Sequence, residues 1–290
     1  MQKWKQIWFY PILLLLASCA ALNLTPSRKI GPLTFSDPNS DPSLVFIYQD
    51  HENSPELKQL LAKYHLDSVA ANGTSELEKI LHLMQWTHNR WKHSGTNQPS
   101  QYQTLTILEE AKSGKRFRCV EYGIVLKSVL AANGFIARTL GLKTRDVETT
   151  RIGAGHVLTE VWSDFHQKWL MLDAQFNVMP MLDNIPLNAV EFQQAIISQK
   201  DFILIDASGS VSAKKLEQYM SFIPYYLYYF DFKFDQREVA FGNSFKLNGN
   251  TSLMLVPDAA KIPTVFQRTI ALDNLMFTNS LHDFYRNPKE

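Results

Sequence analysis

The segment from Cys119 to Gly134 is apolar around most of its helical circumference. Cys119, Gly123 and Leu126 fall on one face at helical spacing. Apolar residues also occupy the other faces, at Val120, Ile124, Val125 and Val129. A helix that is hydrophobic all round is buried. The sequence therefore predicts a central helix that carries Cys119 in its first turn and stops at Asn133 and Gly134.

Two further helices are predicted before this central one. Ser75 and Glu78 have the spacing of a capping box, and apolar residues follow at helical spacing as far as Trp91. A shorter helix is predicted from Leu105 to Ala111. The first part of the folded chain is therefore expected to be helical.

After the central helix the hydrophobic period shortens towards two, which indicates β-strands. Strands are predicted at Phe135 to Leu142, His156 to Trp162 and Lys168 to Asp173. The polar segment from Ser163 to Gln167 is expected to be a turn that joins the last two strands into an antiparallel hairpin. Helices followed by antiparallel strands predict an α+β fold.

The predicted hairpin brings two polar residues, His156 and Asp173, close together. His156 begins one strand and Asp173 ends the other, at equal distances from the turn. In an antiparallel hairpin such residues lie side by side, with Cβ atoms about 5 Å apart. A register shift of two would instead place Gln175 opposite His156 and leave Asp173 diagonal to it. In either register a carboxylate can orient the imidazole, and Gln175 is a supporting candidate.

The N-terminus has the pattern of an export signal. Lys3 and Lys5 precede an apolar stretch, Ile7 to Leu16, that is short for a bilayer span of about 20 residues. The residues before Cys19 resemble the lipobox of bacterial lipoproteins, which implies that residues 1–18 are removed and Cys19 is lipidated. Ala20 follows, where an aspartate would resemble an inner-membrane retention signal. This favours a cell-envelope protein anchored to the outer membrane.

Lipidation of Cys19 would leave Cys119 as the only thiol, because the chain has two cysteines. An unpaired thiol in an oxidising compartment is a liability unless it is buried or useful. It is either a small buried hydrophobic residue or a nucleophile. A helix N-terminus favours a thiolate and presents free backbone N–H groups to an oxyanion. His156 is then the candidate base and Asp173 the group that orients it.

Three segments in this order, RCVEYGIVLKSVLAANGFIARTLGL, GHVLTEVW and KWLMLDAQFN, resemble the core of the transglutaminase-like superfamily of cysteine enzymes. The resemblance covers about residues 75 to 180. It implies a papain-like α+β core with Cys119 as nucleophile, His156 as base and Asp173 as orienting residue. Members often have a proline after the aspartate, whereas Ala174 stands here. No acidic cluster resembles the calcium sites of animal transglutaminases.

We predict four regions from these patterns. Residues 1–18 are a lipoprotein signal peptide, residues 19–45 a flexible tether, residues 46–180 the transglutaminase-like domain and residues 181–290 a C-terminal mixed α/β extension. The extension contains a dense aromatic run from Tyr225 to Phe234. Because aromatic residues are good strand formers, a core or sheet-packing role is expected for this run.

The composition excludes several classes of partner. The 29 basic and 28 acidic residues nearly cancel, so no global field would hold nucleic acid. His88 and His93 lie on different faces of a helix, and neither a metal nor a cofactor is predicted. The remaining partners are a protein or peptide substrate and the membrane that holds the lipid.

Two functions from different classes fit the sequence. The first is an exported, lipid-anchored enzyme that transfers an acyl group from an amide or peptide bond through a thioester on Cys119, as a protease, amidase or transglutaminase. The second is a catalytically silent module of the cell envelope that uses the same fold to bind a partner, because a fold does not guarantee its chemistry.

Overall fold

A computed structural model describes residues 31–239 and 242–290 of the chain. The predicted signal peptide, residues 1–18, and the predicted lipidation site, Cys19, lie outside the described residues. Within the described ranges, no helix combines the length and the apolar character that crossing a membrane requires.

The helices, in chain order, are α1 Pro55–Tyr64, α2 Leu66–Ala70, α3 Glu76–His88, α4 Thr104–Lys112, α5 Cys119–Ala132, α6 Ala189–Ile197, α7 Ala213–Met220 and α8 Leu281–Phe284, with a 3-10 helix at Ile223–Tyr226. The capping box of α3 forms as predicted: Ser75 Oγ accepts from the Glu78 N–H at 3.2 Å, and the Glu78 carboxylate accepts from the Ser75 N–H at 3.3 Å. The helix ends before Trp91, which the sequence pattern had included.

The strands are β1 Ala137–Lys143, β2 Gly155–Ser163, β3 Lys168–Leu172, β4 Met179–Leu182, β5 Ile185–Pro186, β6 Ile203–Asp206, β7 Gly209–Ser210, β8 Tyr229–Lys233, β9 Ser252–Leu255, β10 Val265–Phe266, β11 Ile270–Ala271 and β12 Leu275–Thr278. The main sheet has the order β12-β9-β8-β1-β2-β3, a second sheet has the order β5-β4-β6-β7, and β10 pairs with β11. All neighbours in the main sheet are antiparallel except β9 and β12. The predicted α+β class is confirmed.

Helix α5 is the buried central helix that its sequence predicts. Val125, Leu126 and Val129 are fully buried, and the helix packs against β1 and β2. Its last residue is Ala132, Asn133 is the C-cap, and Gly134 then adopts a φ of +85°, which glycine tolerates without a steric penalty. Cys119 is therefore held at the start of a helix that the core fixes in place.

The β2–β3 hairpin has the alternative register considered above. Thr159 pairs with Leu172 and Ser163 pairs with Lys168, so the turn occupies residues 164–167. The turn thus starts one residue later than predicted, because Ser163 still belongs to the ladder. Continued towards the site, this register brings Gln175 opposite His156 and leaves Asp173 diagonal to His156. The directly opposed arrangement of His156 and Asp173 is therefore wrong.

The main sheet contains strands from both sides of residue 180, the predicted domain limit. Strand β8 lies beside β1, with Leu142 paired with Phe230. Phe230 and Phe232 are buried, which places this part of the aromatic run in the core. Residues 31–45 carry no helix or strand, but Leu44 is buried and the Asp41 N–H donates to Asp283. Packing therefore begins before residue 46, the predicted start of the folded domain.

The C-terminal residues close over a buried ion pair. Arg138 of β1 and Glu160 of β2 are almost fully buried, with 2.7 Å between Arg138 Nη2 and Glu160 Oε2. Arg138 Nη1 donates to the Phe284 carbonyl at 2.8 Å, and its guanidinium lies 3.9 Å from the centre of the Phe232 ring and 4.3 Å from that of Trp169. Strands β1 and β2 are thus tied to the end of the chain.

Gly123 sets the distance between α5 and β2. A Cβ atom at this position would lie 2.9 Å from Val157 Cγ1 and 3.3 Å from the Leu158 carbonyl oxygen. These two residues directly follow His156, and Gly123 is one turn after Cys119. The absence of a side chain therefore lets the helix that carries the cysteine approach the strand that carries the histidine.

A Gly123→Val substitution is expected to lower the free energy of unfolding by about 1–3 kcal/mol, because it overpacks this contact. Urea denaturation measures the effect. Gly31→Val is the matched control, since no atom lies within 4 Å of a Cβ built at Gly31. Equal stability of the Gly123→Val variant and the wild type would show that the helix and strand are not in tight contact.

Candidate active site

Cys119 is the first residue of α5, unpaired and half-buried. Arg118 precedes it with extended backbone, and the loop before it is held by a hydrogen bond from the Ser94 N–H to the Phe117 carbonyl at 2.8 Å. The first N–H groups of a helix have no acceptor within the helix. The thiol therefore lies where backbone donors are available to a developing negative charge.

An ion pair fixes the first turn of α5. Glu121 is fully buried and accepts from the Arg118 N–H at 2.9 Å, and Arg118 Nη2 lies 2.6 Å from Glu121 Oε1. Arg118 Nη2 also donates to the Tyr102 hydroxyl at 3.0 Å. The hydrogen bond to Glu121 raises the pKa of Arg118 above its usual value. The residue before Cys119 and the residue two positions after it are thus linked to each other and neutralise each other's charge.

His156 and Asp173 meet at the open end of the hairpin. His156 Nε2 lies 2.8 Å from Asp173 Oδ2, and both side chains are buried. Asp173 has left the β2–β3 ladder and instead forms a bridge with Val178, while its Oδ1 accepts from the Phe176 N–H at 3.2 Å. Diagonal residues of an antiparallel pair lie on the same face of the sheet, which explains the contact in this register.

The charged form of His156 is stabilised by its neighbours. Burial by itself lowers the pKa of the ring, but the negative charge and hydrogen bond of Asp173, with a hydrogen bond and charge from Cys119, raise the pKa from 6.5 to about 10. The ring is therefore an imidazolium at neutral pH. Because Asp173 engages Nε2, Nδ1 is the nitrogen left to exchange a proton with Cys119. The structure thus joins His156 and Asp173 directly and places Cys119 near enough to the ring to raise its pKa.

The environment of this pair includes residues that the sequence analysis missed. The Tyr219 hydroxyl donates to Asp173 Oδ2 at 3.1 Å. Phe222 and Tyr226 lie with ring centres 5.1 and 5.8 Å from that of His156, and Phe176 lies at 6.4 Å. One signal was present in the sequence: Tyr219 is the aromatic residue of α7, in which four of the eight residues are charged or amide side chains. Its spacing from Asp173 along the chain gives no hint of the contact.

Gln175 and the other histidines have different surroundings. Gln175 Oε1 is buried and has no hydrogen-bond partner among the described residues, so a supporting role stays a prediction. His88 Nδ1 lies 2.9 Å from the Ala174 carbonyl oxygen, which anchors α3 beside the site. Burial, followed by the charge of His156, lowers the pKa of His93. No group of three or more potential ligands that could hold a metal occurs within residues 31–239 and 242–290.

Comparison with protein families gives a match between residues 64–174 and the transglutaminase-like superfamily. This part of the chain is a transglutaminase-like domain. It contains Cys119, His156 and Asp173, and it ends before α7. Tyr219, Phe222 and Tyr226 therefore reach the site from outside the matched segment of the transglutaminase-like domain.

Two solved structures resemble parts of the chain. A candidate cysteine protease from Cytophaga hutchinsonii is 16% identical with a TM-score of 0.34, over 44% of this chain and 43% of that chain. The periplasmic domain of TgpA from Pseudomonas aeruginosa, bound to ethylmercury, is 18% identical with a TM-score of 0.32, over 47% and 48%. The chain thus spans less than half the length of either structure. A search of curated proteins gives no match.

Proposed function

We propose that this protein is an exported, lipid-anchored cysteine enzyme that transfers an acyl group from an amide or peptide bond. Cys119 is the nucleophile, His156 the acid and base, and Asp173 the residue that orients the ring. The observation that carries the proposal is the buried pair of His156 and Asp173, 2.8 Å apart, in which Asp173 and Cys119 both raise the pKa of His156.

The first half of the reaction forms a thioester. The Cys119 sulfur attacks the carbonyl carbon, and the oxyanion that develops accepts hydrogen bonds from backbone N–H groups in the first turn of α5. The His156 imidazolium then gives its proton to the leaving nitrogen. The carbon–nitrogen bond breaks, an amine or ammonia departs, and the acyl group stays on Cys119.

The second half releases the acyl group. Water or a primary amine attacks the thioester carbonyl, while the neutral His156 ring accepts a proton from the attacking group. The carbon–sulfur bond breaks and Cys119 returns to a thiolate beside an imidazolium. Attack by water gives a carboxylic acid, and attack by an amine gives a new amide. Throughout both halves Asp173 holds the ring in one orientation and one tautomer.

The anchoring part of the proposal rests on the N-terminal sequence. Lys3, the apolar stretch and Cys19 support export and lipidation, and Ala20 favours the outer membrane. A substrate at the cell envelope would then be a protein or peptide within reach of the anchor. Metabolic labelling with a palmitate analogue, compared between the wild type and Cys19→Ala, tests this part separately.

The catalytic part is tested with full-length protein in detergent and a peptide library, with and without a primary amine. Mass spectrometry after acid quenching is expected to show an acyl adduct on Cys119 and either hydrolysed or amine-linked peptides, all absent from the Cys119→Ala control. Amine-linked products identify a transferase, and hydrolysed products alone identify a hydrolase. No adduct and no product would favour the silent binding module instead.

A further inference from the structure

Asp173 takes one of its hydrogen bonds from outside the transglutaminase-like domain. The Tyr219 hydroxyl on α7 donates to Asp173 Oδ2 at 3.1 Å, and Oδ2 is the same oxygen that lies 2.8 Å from His156 Nε2. We propose that Tyr219 is a positioning residue that fixes the Asp173 carboxylate, so that residues 213–226 complete the catalytic site. This inference rests on the proposed function, but the experiment that tests it needs no substrate.

The geometry explains why a second donor matters. A carboxylate turns about its Cβ–Cγ bond unless both oxygens are held. The Phe176 N–H holds Oδ1 at 3.2 Å, and the Tyr219 hydroxyl holds Oδ2. With both oxygens fixed, the plane of the Asp173 carboxylate is set and Oδ2 stays directed at His156 Nε2. The Phe176 N–H and the Tyr219 hydroxyl therefore set the direction from which Asp173 holds the His156 ring.

The position of the Tyr219 hydroxyl is itself fixed by packing. Tyr219 is fully buried, and its ring lies 5.1 Å from that of Phe176 and 6.3 Å from that of Phe192. A buried hydroxyl must find a partner within the protein, and a bond to an ionised acceptor is stronger than a neutral one. Burial and the charge of Asp173 also keep the phenol protonated, since both raise the pKa of Tyr219 well above its usual value.

The residues after α7 isolate this contact from water. Phe222 and the 3-10 helix residue Tyr226 approach the His156 ring to 5.1 and 5.8 Å. Hydrogen bonds are electrostatically stronger where water is excluded. The same short segment, residues 213–226, thus supplies a donor to Asp173 and an aromatic wall to His156.

The test compares Tyr219→Phe with Tyr229→Phe, a control that removes a buried hydroxyl bonded to the Lys261 carbonyl at 2.7 Å. Tyr219→Phe is expected to slow alkylation of Cys119 by iodoacetamide at pH 6 about tenfold, the loss expected for a hydrogen bond to a charged group. The downfield proton signal of His156 Nε2–H is expected to shift or broaden in the same variant. Tyr229→Phe is expected to leave both readouts unchanged.

An unchanged alkylation profile and an unchanged proton signal in folded Tyr219→Phe would overturn the inference. If the phenylalanine variant does not fold, 4-aminophenylalanine and 4-methylphenylalanine in place of Tyr219 decide the matter. Both fill the volume of the hydroxyl, and the first alone is a donor, so only it is expected to retain the wild-type readouts. Neither readout needs a substrate, and absence of turnover would therefore count against the proposed function without affecting this result.

Discussion

A His156→Gln variant is expected to react with iodoacetamide at pH 6 about 100-fold more slowly than the wild type, because it loses the charged ring that neighbours Cys119 and assists a cysteine nucleophile. An ordinary thiol has a pKa of about 8.5 and is almost entirely protonated at pH 6. In the wild type, His156 stays charged well above neutral pH, since its pKa is raised to about 10. The lower intrinsic nucleophilicity of a stabilised thiolate offsets part of the difference.

The raised pKa of His156 sets the pH range in which the alkylation rates of the wild type and the variant differ. Because the pKa of His156 is raised in the folded state, its ion pair with Asp173 stabilises the fold fully below pH 6.5. This contribution to stability is lost as the pH rises through about 10. The alkylation rate of the variant should rise steeply with pH and meet that of the wild type once His156 is neutral. His51→Gln, at an exposed histidine, is the control. Profiles that run parallel at all pH values would contradict a role for His156 in the reactivity of Cys119.

A Glu160→Gln variant is expected to lose about 3–5 kcal/mol of the free energy of unfolding, because it leaves the buried Arg138 guanidinium without a counter-charge. Glutamine keeps the shape of the glutamate side chain but removes the ion pair, in which Arg138 Nη2 lies 2.7 Å from Glu160 Oε2. The aromatic rings around Arg138 offer a partial replacement only, since each such contact stabilises a cation by about 1–2 kcal/mol. Guanidinium denaturation followed by tryptophan fluorescence measures the loss.

The control for this second prediction is an exposed ion pair of similar length. Lys289 Nζ lies 2.6 Å from Asp164 Oδ1 with both side chains more than half exposed, so Lys289→Ala is expected to change stability by about 1 kcal/mol or less. A double variant, Arg138→Met with Glu160→Met, is expected to recover part of the loss, because it removes both buried charges. Equal, small losses in all three variants would show that the Arg138–Glu160 pair is accessible to water.

The central helix was predictable because its apolar residues, which occupy most of its circumference, require it to be buried. Cys119 at its start and Gly134 at its end follow from local rules of helix termination, which depend on neighbouring residues. The three strands after it were found for the same reason, since a period of two is a local property. The meeting of His156 and Asp173 was anticipated because a hairpin links two nearby segments through a single turn.

The parts that sequence reasoning missed depend on contacts between distant residues. The register of the hairpin turned on whether Ser163 belonged to the strand or the turn, and a change of one residue there moves every pairing. Tyr219 is 46 residues from Asp173, and nothing in the sequence of α7 names its acceptor. The aromatic run that contains β8 was predicted to pack in a core or sheet. Its position beside β1 could not be predicted, because it depends on the whole fold.

The closure of the chain end over Arg138 has a consequence for the order of folding. The bond from Arg138 to the Phe284 carbonyl joins residues 146 positions apart, and the bond from Asp41 to Asp283 joins residues 242 apart. Contacts between residues so far apart in the chain require the closure of long loops, and folds rich in such contacts fold slowly. A nascent chain that already holds Cys119, His156 and Asp173 therefore still lacks its last stabilising contacts, and these arise only after residue 284 has been synthesised.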